Sequence, residues 1–154
     1  MAKSAEIGNV YAIKTKIGYG LFQVVQNDEV GIDVVRVLKP TIEDVGQFSP
    51  ELLQETERYF IKFTVRAALN KKLIIFIGKY TVPSSVKVPK KYRMLDVVPH
   101  RNIRNWYIVD AKTNRMKLVS RIDKKFLSLS CDAVWNDTFL IERIEEGWTL
   151  EDWK

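Results

Sequence analysis

Three short runs of β-branched and aromatic residues, each closed off by turn formers, dominate the first quarter of the chain. They are Val10–Thr15, Leu21–Val25 and Ile32–Leu38. Gly18-Tyr19-Gly20 breaks the first from the second, Asn27-Asp28 with Gly31 marks the next turn, and Pro40 ends the third. Such side chains favour the pleated, half-buried surface of a sheet, and the runs are short for helices. Strands with such short connections pair antiparallel with their neighbours, because a parallel return needs a dozen or more residues. The opening is read as a meander, the start of an SH3-like barrel or another small antiparallel fold.

The rest of the chain continues the pattern. Ser49-Pro50-Glu51 is a helix start: Ser caps, Pro fits the first turn, and Glu complements the positive end of the dipole. It predicts a short helix from Pro50 to about Glu57. From Tyr59 to Val65 the odd positions are apolar while Lys62 and Thr64 face the other way, a strand period that Phe60 interrupts. Leu73–Ile77 is an apolar strand stopped at Gly78, and Asn70-Lys71-Lys72 joins the two. Pro83 to Pro89 reads as an exposed loop with Lys87–Lys91 as its basic tip. Tyr92–Val98 reads as a strand, and Trp106–Val109 and Met116–Val119 flank a hairpin loop at Asp110–Asn114. A short helix is expected over Asp123–Ser128. Phe139–Ile144 reads as the last strand, ended by Glu145-Glu146-Gly147. With no repeat and no low-complexity linker, residues 1–154 form one domain. The fold class is mainly β (α+β): a strongly bent antiparallel sheet or SH3-like barrel with two short helices.

Composition narrows the function. Cys131 is the only cysteine, so no internal disulfide forms and the core alone holds the fold. The start, Met1 to Glu6, has no apolar run behind its charge, and the longest apolar run, Leu73–Ile77, is too short to span a bilayer. Ala2 and the ending Glu151-Asp152-Trp153-Lys154 signal neither myristoylation nor prenylation. A soluble, cytoplasmic protein with no membrane partner is expected.

Catalytic chemistry finds few candidates. His100, the only histidine, sits in the polar run Pro99-His100-Arg101, far in sequence from Cys131. One His and one Cys do not build a zinc site of the usual type. Glu142, Glu145 and Glu146 are the densest carboxylates, and they read as a solvated turn. Gly18-Tyr19-Gly20 lacks the third glycine and following helix of a nucleotide loop and is read as a bend or bulge. No catalytic residue, metal or cofactor is assigned, and the chain is expected to bind a partner rather than to be an enzyme.

Charge points to where. The net charge is +6, yet Arg58 to Leu95 holds no acid at all, while the charged residues of the last two dozen positions are mostly acidic. This polarity fits either an electrostatically steered partner or internal pairing of the two regions. The candidate partner-binding residues are Lys87, Lys90, Lys91, Arg93, Arg101 and Arg104, in a basic loop stiffened by Pro89 and Pro99 with Asp96 as its one acid. Trp153 in the acidic tail is a candidate interface anchor, whereas Trp148 is expected to fold back and Trp106 and Trp135 to be core. Tyr92 and Trp106 beside the cations also allow a nucleic-acid-binding module as the alternative, with bases stacked on the rings.

Several ordered fragments carry a further signal: Asn9–Ile13, Gly18–Val25, Tyr59–Phe63, Ile77–Pro83, Asn105–Asp110, Val134-Trp135-Asn136 and Leu140–Thr149. Together, over nearly the whole chain, they resemble the Immunity protein 26 family of bacterial polymorphic toxin systems. The resemblance implies a cytoplasmic antitoxin that binds and blocks a toxin domain made by the same or a sibling cell. It brings no catalytic residues. A net positive chain suits an acidic partner, and argues against a nuclease as target, since nuclease inhibitors present acid to a basic site.

Overall fold

The computed structural model describes residues 5–27, 31–101 and 103–153, with the backbone alone at 98, 99 and 103. The expected features at Met1–Ser4, Asp28 and Lys154 lie outside the described residues. The architecture is mainly β. In chain order the strands are β1 (Asn9–Thr15), β2 (Gly18–Asn27), β3 (Asp33–Val37), β4 (Tyr59–Phe63), β5 (Ile74–Lys79), β6 (Lys91–Val98), β7 (Ile103–Asp110), β8 (Met116–Val119) and β9 (Val134–Trp135). The α-helices are α1 (Val65–Asn70) and α2 (Asp137–Glu146). The tertiary contacts gather into two compact units. Unit 1 is Met1–Val88 with Val134–Trp148; unit 2 is Pro89–Ala133 with Thr149–Lys154.

Unit 1 is built on a six-stranded sheet in the order β5-β1-β2-β3-β4-β9. All pairs are antiparallel except β4 with β9. The meander of the first three strands is present, but Gly18-Tyr19-Gly20, read as the break between the first two, is the paired start of β2, and the turn falls at Lys16-Ile17. Among the described residues β5 and β9 are open edges, so of the two expected architectures this is the open sheet rather than the barrel.

Register sorts the side chains. Tyr11, Phe22, Val37 and Tyr59 form one cross-strand row, and all are buried. Leu140 and Ile144 of α2 are buried too, four residues apart and so on one side of their helix. The next row lies on the opposite face: Val10, Gln23, Arg36 and Phe60. On that face Val10, Ala12 and Leu21 form a core with Leu38, Ile42 and Leu53. Both faces are therefore covered, which is why β1 and β3 are nearly continuous apolar runs instead of alternating ones.

The sheet start requires glycine. Gly18 has φ +117, and a Cβ placed there would lie 2.8 Å from the carbonyl oxygen of Ile42. That approach exists because Tyr19 and Ile42 exchange backbone hydrogen bonds of 2.6 and 3.0 Å. Gly18→Ala is expected to cost about 1–3 kcal/mol, measured as a lower denaturation midpoint at constant slope. A cost below roughly 0.5 kcal/mol, ordinary for a surface site, would contradict the strained position.

Three expectations of element type or extent are corrected in unit 1. Phe139–Ile144 is not a strand but the middle of α2. Asn136 caps it, its side chain accepting from the Phe139 N–H at 2.8 Å, and Gly147 ends it in the left-handed conformation at φ 65. The apolar run of three residues at its centre is too short to distinguish the two periods, and the caps decide. The strand from Tyr59 stops at Phe63, and Val65–Asn70 turns into α1. The helix expected after Pro50 is a 3-10 turn, Pro50–Gln54. Trp148 folds back as expected, edge-on to Tyr59 at 5.5 Å and to Trp135 at 5.6 Å.

Unit 2 is a three-stranded antiparallel meander, β6-β7-β8. The loop between β7 and β8 is the expected hairpin connection. The Asp110 carboxylate accepts from the Lys112 and Thr113 N–H groups at 2.9 Å each. The outer side of β6 meets a second segment: Arg93 N–H donates to the Ser130 carbonyl, and Asp132 N–H donates back to the Arg93 carbonyl, both at 2.9 Å. Tyr92–Val98 is a strand as expected, so the stretch from Lys87 to Arg104, also treated as one basic loop, is mostly the β6–β7 hairpin, closed by a 3-10 turn at Pro99–Arg101. The apolar residues of Tyr92–Val98 hold it in the sheet.

Candidate functional site

Unit 2 holds all the candidate partner-binding residues except Lys87, which is exposed near the end of the first segment of unit 1. The hairpin separates them. Lys90 and Lys91 sit at one end of the sheet, where Ala111 N–H donates to the Lys90 carbonyl and Lys91 lies opposite Asp110. Lys112 and Arg115, which sequence reasoning did not single out, flank the same end, and all four are exposed. Arg101 and Arg104, also exposed, are at the far end, with Arg104 opposite Val97. Six strand positions from Lys91 to Val97 span about 20 Å at roughly 3.3 Å per residue. The expected single patch is therefore two.

The first end carries a local electrostatic detail. Hydrogen bonds from the Thr113 and Lys112 N–H groups hold the Asp110 carboxyl below its ordinary range, and the Thr113 hydroxyl and the Lys91 ammonium add to this. Lys91 is thus partly compensated by Asp110, leaving Lys90, Lys112 and Arg115 as the freer charges. Among the described residues no carboxylate lies within ion-pair distance of Lys87, Lys90, Lys91, Arg101 or Arg104.

Arg93 is the main correction. It was expected among the surface cations, and it is fully buried, with 0% of its area exposed. Its guanidinium donates to four carbonyl oxygens: Leu129 at 3.1 Å, Leu127 at 3.3 Å, Trp153 at 2.6 Å, and Leu150. The rings of Trp106 and Trp153 lie 5.2 and 4.6 Å from its central carbon. A planar five-donor fork is the one side chain that satisfies so many carbonyls at once. Burial lowers its pKa from the ordinary value, but arginine stays charged. Trp153 is corrected with it. It is half-buried, packed edge-on against Trp106 at 4.9 Å, and so its ring is a structural element of unit 2 rather than a free anchor.

The remaining chemistry-bearing residues stay apart. His100 is exposed and Cys131 buried. Among the described residues no three of His, Cys, Asp and Glu are placed to share a metal ion, and no helix is long and apolar enough to cross a membrane. Tyr92 and Trp106 are 2% and 7% exposed, so their faces are not offered to bases.

Charge divides between the units as sharply as the contacts do. Unit 2 has 12 Lys and Arg against 6 Asp and Glu, and unit 1 has 13 against 13, so the whole net charge of +6 belongs to the smaller unit. Comparison of the chain with protein-family models, with curated proteins and with solved structures finds no match.

Proposed function

We propose that this protein is a cytoplasmic immunity protein that binds and neutralises a cognate toxin domain, and that unit 2 makes the contact. The observation that carries the reading is the segregation of charge: a neutral unit of unit 1's size beside a small unit with all of the excess. Exposed cations on a hydrogen-bonded hairpin steer an acidic protein surface, raising the association rate, and the paired strands keep the ordering cost low. The sequence resemblance supplies the partner's class, a toxin domain, and the cations supply its chemistry, acidic.

The protein encoded by the neighbouring reading frame provides the test. Expressed alone it is expected to arrest a bacterial host, and coexpression with this chain to restore growth. Lys90→Glu, Lys112→Glu and Arg115→Glu combined are expected to slow association with that protein roughly tenfold or more at low salt. The melting temperature should shift by less than about 2 °C, since all three residues are exposed. Unchanged association, or no rescue by the wild type, would overturn the reading. Salt-sensitive retention of RNA by the wild type, lost in the same variant, would favour a nucleic-acid-binding module instead.

A further inference from the structure

We propose that β8 is a docking edge, and that the partner adds an extended acidic segment to it as a fourth, antiparallel strand of unit 2. This rests on the reading of unit 2 as the binding unit and names how it binds.

The two edges of the three-stranded sheet differ. The outer side of β6 is occupied at its centre, where Arg93 bridges to Cys131. Among the described residues β8 pairs with β7 alone. Its direction of hydrogen bonding follows from the hairpin. Asp110 N–H donates to the Arg115 carbonyl at 2.9 Å, and the pairing then runs Val109 with Met116, Ile108 with Lys117 and Tyr107 with Leu118. In an antiparallel ladder, hydrogen-bonded and non-hydrogen-bonded pairs alternate. Asp110–Arg115 and Ile108–Lys117 are the bonded pairs. The N–H and C=O groups of Met116 and Leu118 therefore point away from β7, as an added strand requires.

The side chains fit the same use. Leu118 is 58% and Met116 51% exposed, and they share one face of the sheet. Register continues that face through Tyr107 to Met94, both half-buried. On the other face Arg115 and Lys117 are exposed cations. An edge of this kind favours a strand that alternates apolar residues over Met116 and Leu118 with carboxylates over Arg115 and Lys117. A second copy of β8 would bring these cations against each other, so charge favours an acidic partner over self-association.

The experiment uses the full chain and a fluorescent peptide alternating glutamate with valine, read by anisotropy. Saturable binding is expected. Leu118→Pro removes one outward donor and one apolar contact without taking a hydrogen bond from the β7–β8 pair, and is expected to weaken binding about tenfold. Leu118→Val keeps the donor and is expected to bind within a few-fold of wild type. Because Leu118→Pro reports only if it folds, the peptide is also varied. N-methylation of its valine amides, which face Met116 and Leu118 in the antiparallel pairing, should abolish binding, while methylation of the glutamate amides should not. Equal effects of the two methylations, no binding by the wild type, or a wild-type dimer dissolved by Leu118→Pro would each overturn strand addition. If Arg115→Glu with Lys117→Glu abolishes binding but Leu118→Pro and both methylations do not, the edge is wrong and the basic unit remains the binding surface.

Discussion

Replacing Arg93 by alanine is expected to cost unit 2 about 3–5 kcal/mol, the range for removing one member of a buried charged network. Three separate segments converge on this one side chain: β6, which carries it, the stretch at Leu127 and Leu129, and the C-terminal turn at Leu150 to Trp153. Alanine leaves four carbonyl oxygens without their donor and opens a void against the rings of Trp106 and Trp153. No smaller change restores them. Arg93→Lys keeps the charge but offers a single ammonium in place of a planar fork, and is expected to recover only part of the loss. Tryptophan fluorescence is a suitable readout, because Trp106 and Trp153 belong to this unit and respond to its opening. A fall in melting temperature of roughly 10 °C or more is expected for alanine. A change of less than about 1 kcal/mol, the scale of a surface substitution, would mean that the buried fork is not holding the unit together.

The same residue shows what the sequence made legible and what it did not. Elements with strong local signals were readable: the meander of β1 to β3 and the β7–β8 hairpin around Asp110–Asn114. Each depends on neighbours in sequence, on alternation or turn formers. Arg93 was read as a rim charge because every residue near it in sequence, from Lys87 to Arg104, is part of a basic stretch. Its partners lie 34 to 60 positions downstream, and carbonyl oxygens leave no trace in side-chain identity. The separation of Lys91 from Arg104 was hidden for a related reason: treating the stretch as a loop brings them together, and recognising a hairpin places them at opposite ends. α2 was mistaken for a strand because Phe139-Leu140-Ile141 carries no period of its own, although Asn136 and Gly147 bracket it as caps do. Lys112, Arg115 and Lys117 were within reach of sequence reasoning. Once Asp110–Asn114 is a hairpin loop, they fall beside Lys90 and on the outer strand.

Arg36→Met is expected to destabilise unit 1 on a similar scale, about 3–5 kcal/mol, by a different arrangement. Arg36 lies in β3 at the middle of the six-stranded sheet, fully buried, in the row with Gln23 and Phe60. Its guanidinium donates to Gln23 Oε1 at 3.2 Å and to the carbonyls of Leu53 and Glu55 at 2.8 Å each, with the Glu57 carboxylate 3.6 Å away. Burial lowers its pKa, and the Glu57 charge acts in the opposite direction. Here the fork pins the end of the Pro50–Gln54 turn against the sheet, holding Leu53 in the core cluster. Methionine restores much of the volume but none of the donors, and it strands a carboxylate that is largely buried. Glu57→Gln in the Arg36→Met background removes the stranded charge and is expected to recover part of the loss, a positive coupling between neighbouring sites. The two arginines sit in different units, so Arg36→Met and Arg93→Ala are expected to add, within about 0.5 kcal/mol. Denaturant unfolding of the single and double variants checks this. Strong non-additivity would show that the two buried arginine networks are energetically coupled, and a negligible effect of Arg36→Met would show that the apolar row around it holds the sheet without the fork.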